Sequence, residues 1–146
     1  GQANGLAFTP DHRQLYLTDT LQRAIYRFDY DADAGTIRNR RVFARVAQTD
    51  GLPDGLTVDA EACIWSARWG GGCLVRYLPD GRVDRRLPMP ARKVTSLTFG
   101  GDSLMDIYVT TAGGDDREAN GPAAGALLRL RLGIRGLPEF VSRVLL

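Results

Sequence analysis

The sequence predicts an all-β chain, about three four-stranded blades of a β-propeller. Three observations carry this. Segments that begin at Asn4, Asp54 and Thr95 repeat one grammar. Their apolar runs are short, rich in Val, Ile, Leu, Tyr and Phe, and bounded by Gly, Pro and Asp, which is the pattern of strands and turns. No apolar period of 3.6 residues is sustained along the chain, as an amphipathic helix would need. Four short antiparallel strands in units of about 40–50 residues match one propeller blade.

The first unit, 4–50, opens with "GLAF", turns at "TPDHRQ", and continues through "LYLTDT", "AIYRFDY" and "RVFARV". The second, 54–91, runs "GLTV", "CIWSAR", "CLVRYLP" and "RVDRRLPM". The third, 95–146, reads "SLTF", "IYVTTA" and, after the insertion "GGDDREANGPAAG", "ALLRLRL"; "EFVSRVLL" is expected to be its closing outer strand. The three form a single partial domain. A ring needs about four to eight blades. An arc of three therefore leaves two blade faces uncovered, to be covered by more chain or by a second copy. The chain opens at Gly1, inside what reads as a motif, without an initiating Met or a signal peptide, so a piece of a longer protein is expected.

Composition narrows the function classes. The 146 residues are 44% hydrophobic and 25% charged, ordinary for a globular protein, and no apolar run is long enough to span a membrane. The net charge is +2, with a single lysine, Lys93, and arginines interleaved with acids along the chain. A nucleic-acid footprint needs a clustered basic face. The densest patch, "RNRRVFAR" (38–45), reads as solvated arginines on a strand or turn, so no nucleic-acid partner is expected. Cys63 and Cys73 flank "IWSARWGGG". A hairpin turning near Trp69 sets Cys63 opposite residue 77 rather than Cys73, beyond the reach of a disulfide. Two free thiols fit a reducing compartment, and a cytoplasmic location is expected. With His12 as the only histidine, a His/Cys metal centre has too few ligands.

The first strand of a propeller blade lines the central channel, so the residue just before it sits at one mouth. Asn4, Asp54 and Thr95 hold that place in the three units. The repeat thus carries a carboxylate and an amide, far apart in sequence, to one axis on loops held by a rigid scaffold. Asp and Asn oxygens are hard ligands that suit Ca²⁺, Mg²⁺ or Mn²⁺, and Zn²⁺ also accepts carboxylate. Two such ligands need a further carboxylate from elsewhere. Gly5 and Gly55, next in line, allow close backbone approach and unusual φ. The same residues also read as turn formers, because Asn and Asp bond their own backbone. From the residues alone, both readings stand.

The motifs "NGLAFTPD...LYLTDT", "GLPDGLTVDAEACIWSARWGGGCLVRYLPDG" and "TSLTFGG...IYVTTA...GALLRL" occur in this order over nearly the whole chain. In these the sequence resembles the SMP-30/gluconolactonase/LRE family, which includes regucalcin. The resemblance implies a six-bladed ring of which this chain is the C-terminal half. It implies one divalent metal ion at the channel mouth, with Asn4 and Asp54 as two of three protein ligands. The third, a glutamate of the family's first blade, has no counterpart here, nor do the family's substrate-binding residues from its second and third blades. It implies hydrolysis of a sugar lactone, with Asp54 as general base as well as ligand.

Further residues carry weaker expectations. Asp19 either lines the site or ties down a turn; its counterparts in the other units are Arg68 and Ala112. Trp69 in "RWGGG" either packs between blades or meets the sugar, and Thr95 and Ser96 either touch substrate or begin a strand. "DYDADAG" (29–35) mimics a calcium loop but lacks the Gly and the final acid such a loop requires, so it is expected to be a hairpin turn. The insertion at 113–125 is expected to be a mobile surface loop or a lid over the channel. No phosphate loop and no G-x-S-x-G nucleophile elbow is present. The alternatives to a lactonase are a propeller that binds a metal or ligand without catalysis, and a structural half-ring that pairs with a second copy through its open faces.

Overall fold

Eleven strands make up nearly all the regular structure of the computed structural model, which describes residues 1–114 and 116–138. They form three antiparallel sheets, each running in chain order from an inner to an outer strand. The first holds β1 (Ala3–Phe8), β2 (Gln14–Asp19), β3 (Ala24–Asp31) and β4 (Thr36–Arg45). The second holds β5 (Leu52–Val58), β6 (Ile64–Trp69), β7 (Cys73–Tyr77) and β8 (Val83–Pro88). The third holds β9 (Val94–Gly100), β10 (Asp106–Thr111) and β11 (Leu127–Arg131). The remaining regular element among the described residues is a 3₁₀ turn at Gln48–Asp50. The outer strand expected at "EFVSRVLL" lies outside the described residues.

β1, β5 and β9 pack side by side. Period-two alternation then sends the side chains of each sheet toward its two neighbours. In the second sheet both faces are covered, and β6 and β7 are buried almost throughout. Ile64, Val75 and Tyr77 meet Tyr16, Ile25 and Ala44 of the first sheet. Trp65, Ala67 and Leu74 meet Leu97, Phe99, Ile107 and Val109 of the third. Asp59 is fully buried at the end of β5, where it accepts hydrogen bonds from Trp65 Nε1 and Arg76 Nε, both at 2.8 Å. A buried carboxylate satisfied in this way tolerates the loss of water.

The two outward faces differ. On the first sheet the register aligns Leu6, Leu17, Tyr26 and Val42 in one row and Phe8, Leu15 and Phe28 in the next. Leu6 is 52% exposed, whereas its repeat counterpart Leu56 is 6% exposed against the first sheet. On the third sheet the outward rows carry Thr98, Tyr108 and Arg129, then Asp106 and Arg131. One face is apolar and the other polar.

The 31–35 segment is a hairpin turn: the Asp31 carboxylate accepts the amides of Asp33 and Ala34, at 3.1 and 3.0 Å. Both cysteines are free thiols. "RNRRVFAR" lies on β4, where Arg41 pairs with Asp29 and Arg40 stacks on Tyr26 at 4.9 Å. Among the described residues no helix is long and apolar enough to cross a membrane.

Candidate functional site

Asn4, Asp54 and Thr95 lie inside β1, β5 and β9, not before them. Pairing continues past each: Ala3 faces Asp19, Pro53 faces Arg68, and Val94 faces Thr111. The inner strand nevertheless carries one residue more than its partner over the same stretch, and the excess falls on Asn4–Gly5, on Asp54–Gly55 and at Thr95. This is a β-bulge, a device that bends a strand and re-aims a side chain. The residue of β10 opposite this point is Thr111, so Thr111, not Ala112, is the counterpart of Asp19 and Arg68.

The bulges touch. A Cβ on Gly5 would fall on the backbone nitrogen of Leu56 and within 2.9 Å of the Asp54 carbonyl oxygen. A Cβ on Gly55 would fall on the Ser96 hydroxyl and within 2.8 Å of the Ser96 Cα. The two glycines are thus required by close approach. Neither has a positive φ, so unusual φ, the second reason expected for them, does not apply. Their packing brings Asn4, Asp54 and Thr95 together at one end of the inner strands.

Asp54 is half-buried. Burial pushes its carboxyl above the ordinary value, against hydrogen bonds from the Asn4 side chain and the Gly55 amide that pull it down. In a chain this rich in arginine, no described arginine or lysine forms an ion pair with it. Asn4 is exposed and donates from Nδ2 to the Thr20 hydroxyl at 3.2 Å. Thr20 is buried and donates to the Pro53 carbonyl oxygen at 2.9 Å. A carboxylate without a cationic partner, beside an amide oxygen whose nitrogen is already committed, is a donor set that fits a hard divalent cation. It is incomplete: among the described residues no group of three or more His, Cys, Asp or Glu side chains comes together.

The other candidates divide. Asp19 accepts the Gln2 and Gln22 amides, at 3.0 and 3.1 Å, which hold its carboxyl below the ordinary range; this ties down the turn after β2. Trp69 ends β6, 37% exposed as a residue, with the Lys93 ammonium 5.3 Å from the centre of its ring. The Thr95 hydroxyl shares a hydrogen with Thr110 at 2.7 Å. Ser96 packs on Gly55. The described part of the 113–125 loop is pinned: Arg92 N–H donates to the Asn120 carbonyl at 2.8 Å, and the Thr111 hydroxyl reaches the Ala123 carbonyl at 2.8 Å. An apolar trough of about 510 Å³, lined by Leu6, Leu56, Val58, Leu97 and Phe99 among others, runs along the inner strands; none of Asn4, Asp54 and Thr95 lines it. Reading the sequence missed Thr20 and Lys93. Both sit in plain strand-end positions, and their contacts join separate segments or sheets.

The SMP-30/gluconolactonase/LRE-like family model matches residues 1–113. The chain belongs to this family. It is 48% identical to a pentonolactonase of Haloferax volcanii over 151 aligned residues, covering 99% of this chain and 52% of that protein. It is 36% identical to the regucalcin of Danio rerio, covering 94% of this chain and 48% of that one. The solved structure of a calcium-binding regucalcin from Agrobacterium tumefaciens superposes with a TM-score of 0.89 at 32% identity, over 97% of this chain and 50% of that one. The chain spans about half the length of the curated relatives it matches.

Proposed function

We propose that this chain is the C-terminal half of a six-bladed propeller that hydrolyses a sugar lactone with one divalent ion. Asn4 and Asp54 are two of its protein ligands, and the third lies outside the chain. The observation that carries the reading is the pair of touching bulges, which sets a carboxylate without a cationic partner among the described residues beside an oriented amide. The similarity to a pentonolactonase supports the substrate class. Calcium is the ion that the similarity to a calcium-binding regucalcin favours, and Zn²⁺, Mn²⁺ and Mg²⁺ suit the same oxygens.

A cation bound there supplies Lewis acidity toward the ester carbonyl and acidifies water. Asp54 takes a proton from the water that adds to that carbonyl. The ring C–O bond then breaks, the leaving oxygen is protonated, and an aldonic acid departs. Trp69, Thr95 and Ser96, near the same end of the inner strands, bound the space for the sugar. Asp19 belongs to its border, since its carboxylate is occupied by backbone amides. The free thiols agree with a cytoplasmic protein.

The test is Asp54→Ala in the full-length protein. Lactone turnover is expected to fall at least about a thousandfold, the scale of losing a base and a ligand together, with the circular dichroism unchanged. Wild-type-like rates would end the proposal. The second reading, a half-ring closed by another copy, draws on the exposed apolar face of the first sheet. Against it, closure would press that face onto Arg129 and Arg131 of the third. A stable dimer of this chain in sedimentation would favour it.

A further inference from the structure

The Thr20 hydroxyl has one hydrogen to give and lone pairs to receive. Its hydrogen goes to the Pro53 carbonyl oxygen, 33 residues on and in the next blade, which can only accept. Toward Asn4, 3.2 Å away, the same oxygen therefore acts as acceptor. That decides the direction of the Asn4 amide: the NH₂ faces Thr20 and the carbonyl oxygen faces away. The carbonyl that Thr20 holds belongs to the peptide whose nitrogen is that of Asp54. One hydroxyl, on a residue 6% exposed, thus reaches both bulges.

We propose that Thr20 is a positioning residue for the cation site: it turns the oxygen of Asn4, rather than its nitrogen, toward the cation and ties the Asp54 peptide to that amide. This rests on the reading of Asn4 and Asp54 as ligands. A hard cation is bound by the amide oxygen and repelled by the NH₂ group. Partners behind the ligands orient them, and losing one costs about 10- to 100-fold in metal affinity. Valine keeps the shape of threonine without the hydroxyl, so Thr20→Val frees the amide to turn over while the packing stays.

The experiment is calorimetric titration of the chelator-treated full-length protein with Ca²⁺ and with Mn²⁺. The variants are Thr20→Val, Thr20→Ser, and the double variant Thr20→Val with Asn4→Asp, compared with Asn4→Asp alone. Thr20→Val is expected to weaken binding about 10- to 100-fold, and Thr20→Ser to restore it. In the presence of Asn4→Asp the Val substitution is expected to cost clearly less, because a carboxylate presents an oxygen whichever way it turns. Undiminished binding by Thr20→Val overturns this proposal alone. So does an equal loss from Thr20→Val with and without Asn4→Asp, which would mean that Thr20 acts through packing. Absence of binding by the wild-type protein overturns the ligand reading and this proposal with it.

Discussion

Asn4 and Asp54 stand on the same bulge in neighbouring blades, each followed by glycine, yet their surroundings differ. Gly5 lies against backbone, that of Asp54 to Leu56, whereas Gly55 lies first against the side chain of Ser96, with its Cα behind. Asn4 is exposed, with one described blade beside it; Asp54 is half-buried, with a blade on either side. The third bulge, at Thr95, has the same extra residue and neither a carboxylate nor an amide. The repeat therefore sets where a side chain stands, and the neighbouring blade sets what it does there. Aligning the three segments reveals the first and hides the second.

The largest expected effect that separates the two bulges is on folding. Gly5→Ala drives a methyl into backbone that has no rotamer to escape by, and is expected to cost about 3 kcal/mol or more in denaturant unfolding. Gly55→Ala is expected to cost less, about 1–3 kcal/mol, and to recover partly when Ser96 is changed to Gly. Equal costs for the two alanines, with no recovery through position 96, would show that the bulges are packed alike.

Next is pH. The Asp54 carboxyl is raised above its ordinary 3.8 in the folded state. The folded form then holds the proton more tightly than the unfolded chain does. Ionisation therefore costs stability, and that cost is absent below the ordinary value and complete once the pH passes the raised one. In chelator-treated protein, Asp54→Asn is expected to raise the unfolding temperature at neutral pH, and the gain is expected to vanish as pH falls below the ordinary carboxylate range. A gain that persists in acid would assign the effect to something other than the charge. The smallest effect is at the third bulge. Thr95→Ala is expected to leave cation affinity within about twofold and to raise KM about fivefold, the scale of one lost hydrogen bond. A large loss of affinity would make Thr95 a ligand and erase the contrast among the bulges.

The architecture was legible because strands announce themselves locally. Runs such as "LYLTDT" and "CLVRY" are short, apolar and bounded by turn residues, and the Asp31–Gly35 hairpin follows from its own carboxylate and glycine. The candidate site was half legible. The repeat aligned Asn4 with Asp54 without contact information. The bulge was not legible, because it is a mismatch between two strands and neither strand shows it alone. The role of Asp19 in the turn after β2 stayed open because it depends on which amides come near, those of Gln2 and Gln22.

By itself the sequence determined the all-β character, the threefold repeat and the residue types available at each inner strand. Those follow from side-chain shape, from turn propensity and from the order of residues, which any stretch of chain carries within itself. Only the tertiary structure decided that Gly5 must be bare, that Asp54 is half-dry and without a cationic partner among the described residues, and that the Thr20 hydroxyl bridges two blades. Each of these depends on which atom arrives from a segment tens of residues away, and burial and hydrogen-bond direction exist only once the blades have packed.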